Sequence, residues 1–280
     1  MDLALLQTLL PQANLLPFVR AYQVFRFVFE GDVPPPPKFH APRPEHCLTF
    51  YLRDCQKFSG LDLMALTAYP RCIVSGIYNR PIYRHGGKDF WAIKVVLQPG
   101  AFYRFLRIPT TYITNSFLDA EALWGPVIGR VCDQLANCAT LDGMIATIEQ
   151  FLLARARDSR EPLLPIDRAV QSLLSSGASH HSLTAIASQS CLSTRQFIRK
   201  FEERVGVSAT MFHRIARFDK AYRLKNNRPD LDWLSIAIAT GYTDYQHLAK
   251  DFKEFTTLTP RAFYEIEKTS PERRFGLHEG

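Results

Sequence analysis

The stretch LTAIASQSCLSTRQFIRKFEERVG (Leu183–Gly206) recurs in altered letters as WLSIAIATGYTDYQHLAKDFKEF (Trp233–Phe255). Leu183, Ile186, Ala187, Cys191, Leu192, Ser193, Gln196 and Ile198 are matched fifty positions later by Trp233, Ile236, Ala237, Gly241, Tyr242, Thr243, Gln246 and Leu248. After a one-residue insertion Phe201 matches Phe252 and Phe212 matches Phe263. A repeat of this period is a duplicated supersecondary unit. Each copy reads as a short helix with a central Ile-Ala, a tight turn, and a longer helix, over about 183–206 and 233–256. Ala187 and Ala237 are small enough for a second helix to cross closely. Ser193-x-x-Gln196 and Thr243-x-x-Gln246 read as capping boxes that fix where the longer helices begin. In this register His247 replaces Phe197 and is expected to pack inward.

Two short helices crossing steeply at a tight turn are the arrangement that presents a recognition helix to the major groove, its first residues towards the base edges. With Phe197, Phe201 and Val205 buried, the outward positions of the first recognition helix are Thr194, Arg195, Ile198 and Arg199. On the second, with Leu248, Phe252 and Phe255 buried, they are Tyr245, Gln246, Ala249 and Lys250. These eight are the base-contact candidates, the arginines because a guanidinium can pair bidentately with guanine. Ser193, Lys200, Arg214, Arg217, Arg223 and Thr243 are candidates for the DNA backbone, where contacts position without specifying; Arg214, Arg217 and Arg223, on the connecting helix, read equally as contacts between domains or as a solvated charged face. The helix between the copies runs about 28 Å at roughly 1.5 Å per residue, suited to groove segments about 34 Å apart. A plain helical bundle would explain the apolar positions but not the nine Lys/Arg against three acids between Ser193 and Lys225.

Outward from the repeat, helices are expected near 166–176, 183–190, 194–205, 208–226, 232–240, 244–255 and 260–267. The polar RARDSREPLLP (Arg155–Pro165) marks a boundary. Before it, short β-branched and aromatic runs such as YQVFRFVFE and FWAIKVVLQPG alternate with turn signals and read as an antiparallel sheet or small barrel. His85-Gly86-Gly87 reads as a hairpin turn, and Pro34–Pro37 as a stiff connection between strands. From Asp119 to Ala156 the period becomes helical. The expected fold is an α+β N-terminal domain (1–160, sensor and dimerisation) followed by an all-α double helix-turn-helix domain (161–280).

The chain of 280 residues carries a net charge of +7, which favours an anionic partner. Six cysteines at irregular spacings, with no CxxC pair, read as free thiols of a reducing cytoplasm. The start MDLALLQTLLPQ lacks a basic n-region, and no apolar run is long enough for a bilayer, so neither a signal peptide nor a membrane association is expected. Walker, GxSxG, HExxH and Rossmann patterns are lacking, so no catalytic residue, metal or cofactor is expected. His40, His46, Cys47 and His85 are spaced without metal-ligand character.

On these residues the C-terminal region resembles the AraC/XylS family of bacterial transcription regulators. IAIATGYTDYQHLAKDFKEFTTLTPRAFYE (Ile236–Glu265) is similar to the family signature, and Leu183–Gly206 to its companion motif. Leu248 and Lys250 stand where the family usually has Phe and Arg, Thr257 where it has Gly, and Ala209 where it has Pro. LLPFVRAYQ (Leu15–Gln23) and VVLQPGAFYRFLRIP (Val95–Pro109) resemble a sensor-like segment that precedes this unit in some members. The resemblance implies a sequence-specific regulator of transcription that binds double-stranded DNA. Its further candidate partners are a small-molecule effector, RNA polymerase and a second copy of the chain. The rival readings are an enzyme fused to a DNA-binding domain and a regulator without an effector.

Overall fold

The computed structural model describes residues 4–61, 65–159, 162–175 and 183–279. Among the described residues of the first 119 positions there are ten strands: β1 (Ala4–Leu9), β2 (Val19–Val28), β3 (Lys38–His40), β4 (Cys47–Tyr51), β5 (Lys57–Ser59), β6 (Thr67–Ala68), β7 (Cys72–Ser75), β8 (Ile82–His85), β9 (Asp89–Leu97) and β10 (Phe117–Asp119). They form two antiparallel sheets, of order β1-β2-β9-β4-β7-β10 and β3-β8-β5-β6. The long central strands are held in register by their apolar alternation. Val95 of β9 lies opposite Tyr22 on one side and Leu48 on the other, and all three are buried. Slipping either pair by one residue would turn these side chains to the opposite face. The turn at Gly86-Gly87 is not a hairpin: β8 and β9 belong to different sheets, and the glycines carry the chain from one to the other.

Three helices, α2 (Ala120–Trp124), α3 (Pro126–Asn137) and α4 (Leu141–Asp158), complete this region after a short α1 (Ala101–Leu106). Ile128, Val131 and Leu135 of α3 and Met144, Ile148 and Leu152 of α4 recur at helical spacing and join the core of the larger sheet.

The described residues beyond this region are helical: α5 (Pro165–Ser175), α6 (Leu183–Gln189), α7 (Thr194–Val205), α8 (Ala209–Asn227), α9 (Trp233–Ala239), α10 (Tyr245–Thr256) and α11 (Pro260–Glu267), followed by a 3-10 turn at Pro271–Phe275. Their bounds lie within a residue or so of those expected from periodicity and capping. Phenylalanines fill the centre. Phe218 of α8 meets Phe252 and Phe255 of α10 edge-on, with ring centroids 4.7 and 5.4 Å apart.

The helical core is not self-contained. Phe39 and Ala41, at and beyond β3, are part of it, and the Phe39 ring stands edge-on to Phe263 of α11 at 5.6 Å. A second seam lies at the end of α7. Thr110 Oγ1 donates to the Glu203 carbonyl at 3.0 Å and Thr114 Oγ1 to the Gly206 carbonyl at 2.7 Å. Gly206 ends the helix at φ 87°, and a Cβ there would lie 2.6 Å from Thr114 Oγ1, so only glycine fits.

Candidate nucleic-acid interface

The two repeat copies share their backbone bonding. In the first turn the Leu192 amide donates to the Ala187 carbonyl at 3.0 Å, and in the second the Tyr242 amide donates to the Ala237 carbonyl at 2.9 Å. The Ser190 hydroxyl donates to the Ile186 carbonyl, as the Thr240 hydroxyl does to Ile236. Cys191 takes a left-handed conformation, φ 54°, where the second copy has Gly241 at φ 86°. Ile186, Ala187, Ile236 and Ala237 are all buried, as a close helix crossing requires.

The two recognition helices begin 51 residues apart, at Thr194 and Tyr245. Ser193 and Gln196 form the expected capping box on α7. The second box does not form. Asp244 caps α10, its carboxylate accepting from the His247 amide at 2.8 Å, and Thr243 is an exposed turn residue. The inserted residue therefore sits in the turn and not inside the helix. In the corrected register Phe197 corresponds to Leu248, both fully buried, and His247 corresponds to Gln196. His247 is exposed, its Nδ1 3.0 Å from Asp244 Oδ2, and does not pack inward as the fifty-residue register suggested. The signal was in the sequence, in the 51-residue spacing of the phenylalanines and in an aspartate one place after the threonine.

The correction pairs the outward candidates one for one: Thr194 with Tyr245, Arg195 with Gln246, Ile198 with Ala249, Arg199 with Lys250. Arg195, Arg199, Gln246 and Lys250 are exposed, as are Ile198 and Tyr245, whereas Thr194, Ala249 and Lys200 are half-buried. Ser193 is exposed beside its cap. Gln246 takes no part in a capping box, which leaves its amide to the surface. Each set stands on the first turns of a helix, where free amides and the helix dipole favour an anion.

The arginines of α8 make contacts within the protein, and Arg223 lies where the inter-domain reading put it. Arg214 binds Asp251 of α10 at 2.7 Å and also Glu254, and Arg217 reaches Asp251 at 3.2 Å while lying 3.9 Å over the Tyr242 ring. The Tyr242 hydroxyl donates to the same carboxylate at 3.0 Å. Burial, followed by the Asp251 charge, raises the Tyr242 phenol well above its ordinary range. Asp251 thus gathers two guanidinium groups and a phenol and fixes α10 against α8, a role invisible in the repeat because its counterpart Lys200 is basic. Arg223 pairs with Asp219 at 2.8 Å and lines a cleft shared with Arg20 and Gln23 of β2, so it faces the N-terminal domain.

No three His, Cys, Asp or Glu side chains among the described residues could hold a metal. Burial pushes the Cys47 thiol up to about 12, away from the thiolate that nucleophilic chemistry needs. No helix among the described residues is long and apolar enough to cross a membrane.

This pair of units defines a class of protein. Residues 186–265 match the family model described as a helix-turn-helix domain. The chain carries, over those residues, a helix-turn-helix domain of the AraC type. Among solved structures it is similar to ToxT from Vibrio cholerae O395, at 13% identity and TM-score 0.47, over 88% of this chain and 96% of that one. It is also similar to the AraC-like transcriptional activator CuxR, at 15% identity and TM-score 0.27, over 73% and 76% of the respective chains. No curated protein matches the chain in sequence.

Proposed function

We propose that the chain is a sequence-specific DNA-binding regulator of transcription, in which each monomer inserts α7 and α10 into successive major-groove segments. The observation that carries this reading is the one-for-one pairing of exposed side chains on the first turns of the two helices. Arg195 and Arg199 read guanine edges, Gln246 reads adenine, and Ile198 and Ala249 meet thymine methyl groups. Lys250, Tyr245 and Thr194 complete the two surfaces. Ser193, Thr243 and Lys200 lie at their borders and touch phosphates. Arg214 and Arg217 serve indirectly, by holding α10 at a fixed angle to α8.

Residues 1–160 act as a regulatory module and residues 161–280 as the DNA-binding unit. The module signals by binding a small-molecule effector or a second copy, without catalysis of its own, and RNA polymerase is a further partner of the chain. The seams at Phe39–Phe263 and Thr114–Gly206 support this reading, because anything that shifts the sheets moves α7 and α11. Gel shifts of the full chain on selected sequences test it. A salt-dependent but sequence-indifferent affinity, unchanged by Arg195→Ala and Arg199→Ala, would contradict it.

A further inference from the structure

After α11 the chain returns to the N-terminal domain. The Phe275 ring stacks on Phe27 of β2 at 5.5 Å and meets Phe29 edge-on at 5.2 Å. Pro271, Glu272 and Glu279 become walls of a cavity whose other walls include Lys38, His40, Arg43, Arg84 and Lys94. Glu272 pairs with Lys38 and Glu279 with Arg43, while Glu279 also lies 3.5 Å from Lys38. Arg273 holds the segment to Asn226 of α8 at 2.8 Å.

The distribution of charge across this cavity is uneven. The N-terminal domain contributes no carboxylate to these walls; Glu45, behind them, is taken up by Lys94 and by Arg20. Among the described residues no carboxylate of that domain lies within ion-pair distance of Lys38, Arg43 or Arg84. Burial and the neighbouring Arg84, Arg43 and Lys94 hold His40 well below its ordinary range, so it adds no charge. Burying cations is costly unless they are paired. For Lys38 and Arg43 the pairing comes from the helical region and the segment behind it. Arg84 meets no carboxylate among the described residues; its Nε is buried without a hydrogen-bond partner, and it borders a remaining cavity of about 80 Å³.

We propose that this cavity is a receptor for a small organic dicarboxylate, for which Glu279 is a tethered stand-in. One carboxylate of the ligand replaces Glu279 on Arg43 and the other reaches Arg84, which the chain itself leaves unpaired. Binding expels residues 271–279 and loosens the helical region from the sheets. This deepens the reading of residues 1–160 as an effector module and rests on it. Tethering presents the internal carboxylate at an effective concentration on the order of millimolar, so a free ligand must outcompete it.

The test is titration calorimetry of the full chain with glutarate, accompanied by hydrogen exchange over residues 270–279. Glu279→Gln should bind glutarate about tenfold more tightly than the wild type. Arg84→Met should keep its melting temperature, because no pair is broken, and should bind about tenfold more weakly. Glutarate should speed exchange in the segment. Equal affinity in wild type and Glu279→Gln, undiminished affinity in Arg84→Met, or a segment that exchanges no faster with ligand would each overturn the proposal. None of these readouts involves DNA, so a failure here is distinct from a failure of the DNA-binding reading.

Discussion

The Arg204 guanidinium of α7 lies 2.9 and 3.2 Å from the two carboxylate oxygens of Asp167 on α5, and both side chains are withdrawn from solvent. Asp167 also accepts from the Leu164 amide at 2.9 Å, and Arg204 lies 4.7 Å over the Tyr103 ring of α1. A Cβ at Gly100 would come within 2.5 Å of Asp167 Oδ1. One ion pair therefore joins α5, the first recognition helix and the N-terminal domain. Asp167→Ala should cost about 3–5 kcal/mol, because it leaves a buried guanidinium without its carboxylate. Adding Arg204→Met should recover part of that loss. Urea unfolding measures both; additive losses would show that the pair is not the unit of stability.

The left-handed residues offer a test of the opposite sign. Cys191 at φ 54° and Thr257 at φ 64° hold conformations that glycine adopts without strain. Cys191→Gly and Thr257→Gly should each raise stability by up to about 1 kcal/mol, the relief being partly offset by the greater freedom of the unfolded chain. Thermal unfolding of the two variants checks this. A lower melting temperature for both would mean that the side chains contribute more than the backbone loses.

His46 sets an acid limit on stability. It is buried, its ring parallel to Phe102 at 6.2 Å and its Nε2 without a hydrogen-bond partner. Burial lowers its pKa to about 4, against the opposing pull of Glu45. The unfolded chain takes up a proton near pH 6.5 and the folded chain does not. Stability is therefore complete above pH 6.5, falls between about 6.5 and 4, and loses roughly 3 kcal/mol over that window. His46→Phe should flatten this limb in denaturant titrations at pH 7 and 5. An unchanged slope would assign the acid sensitivity to other groups.

The helical region was legible because its evidence is local. A period of 3.6, a capping serine and a repeated Ile-Ala are each readable within a dozen residues. The second cap was misplaced by one because Thr243 and Asp244 both suit the role, and only the spacing of Phe201 and Phe252 decides between them. The contacts between domains were not legible. Lys38 with Glu272 or Phe39 with Phe263 are pairs more than two hundred positions apart, and no periodicity links them. Arg214, Arg217 and Arg223 read equally as phosphate contacts, inter-domain contacts or a solvated face, because their partners Asp251, Glu254 and Asp219 carry no mark of being partners until the helices are packed.

Phe39 marks how strongly that packing couples the two regions. Its ring is buried between Tyr83 and Phe263. Phe39→Ala should cost about 3–5 kcal/mol, as other large core truncations do. The loss should be read by a probe in the helices, for example Trp233 fluorescence. A loss confined to the sheets would show that β3 does not support α11.

Missing-base interference on a binding site selected with the full-length monomer tests the central claim most directly. The account predicts two patches of interference about one helical turn apart, in successive major-groove segments. Arg199→Ala should erase one patch and Lys250→Ala weaken the other, each variant losing about 1–3 kcal/mol on the selected site and far less on random DNA. A single patch, or equal losses on selected and random DNA for both variants, would contradict the account.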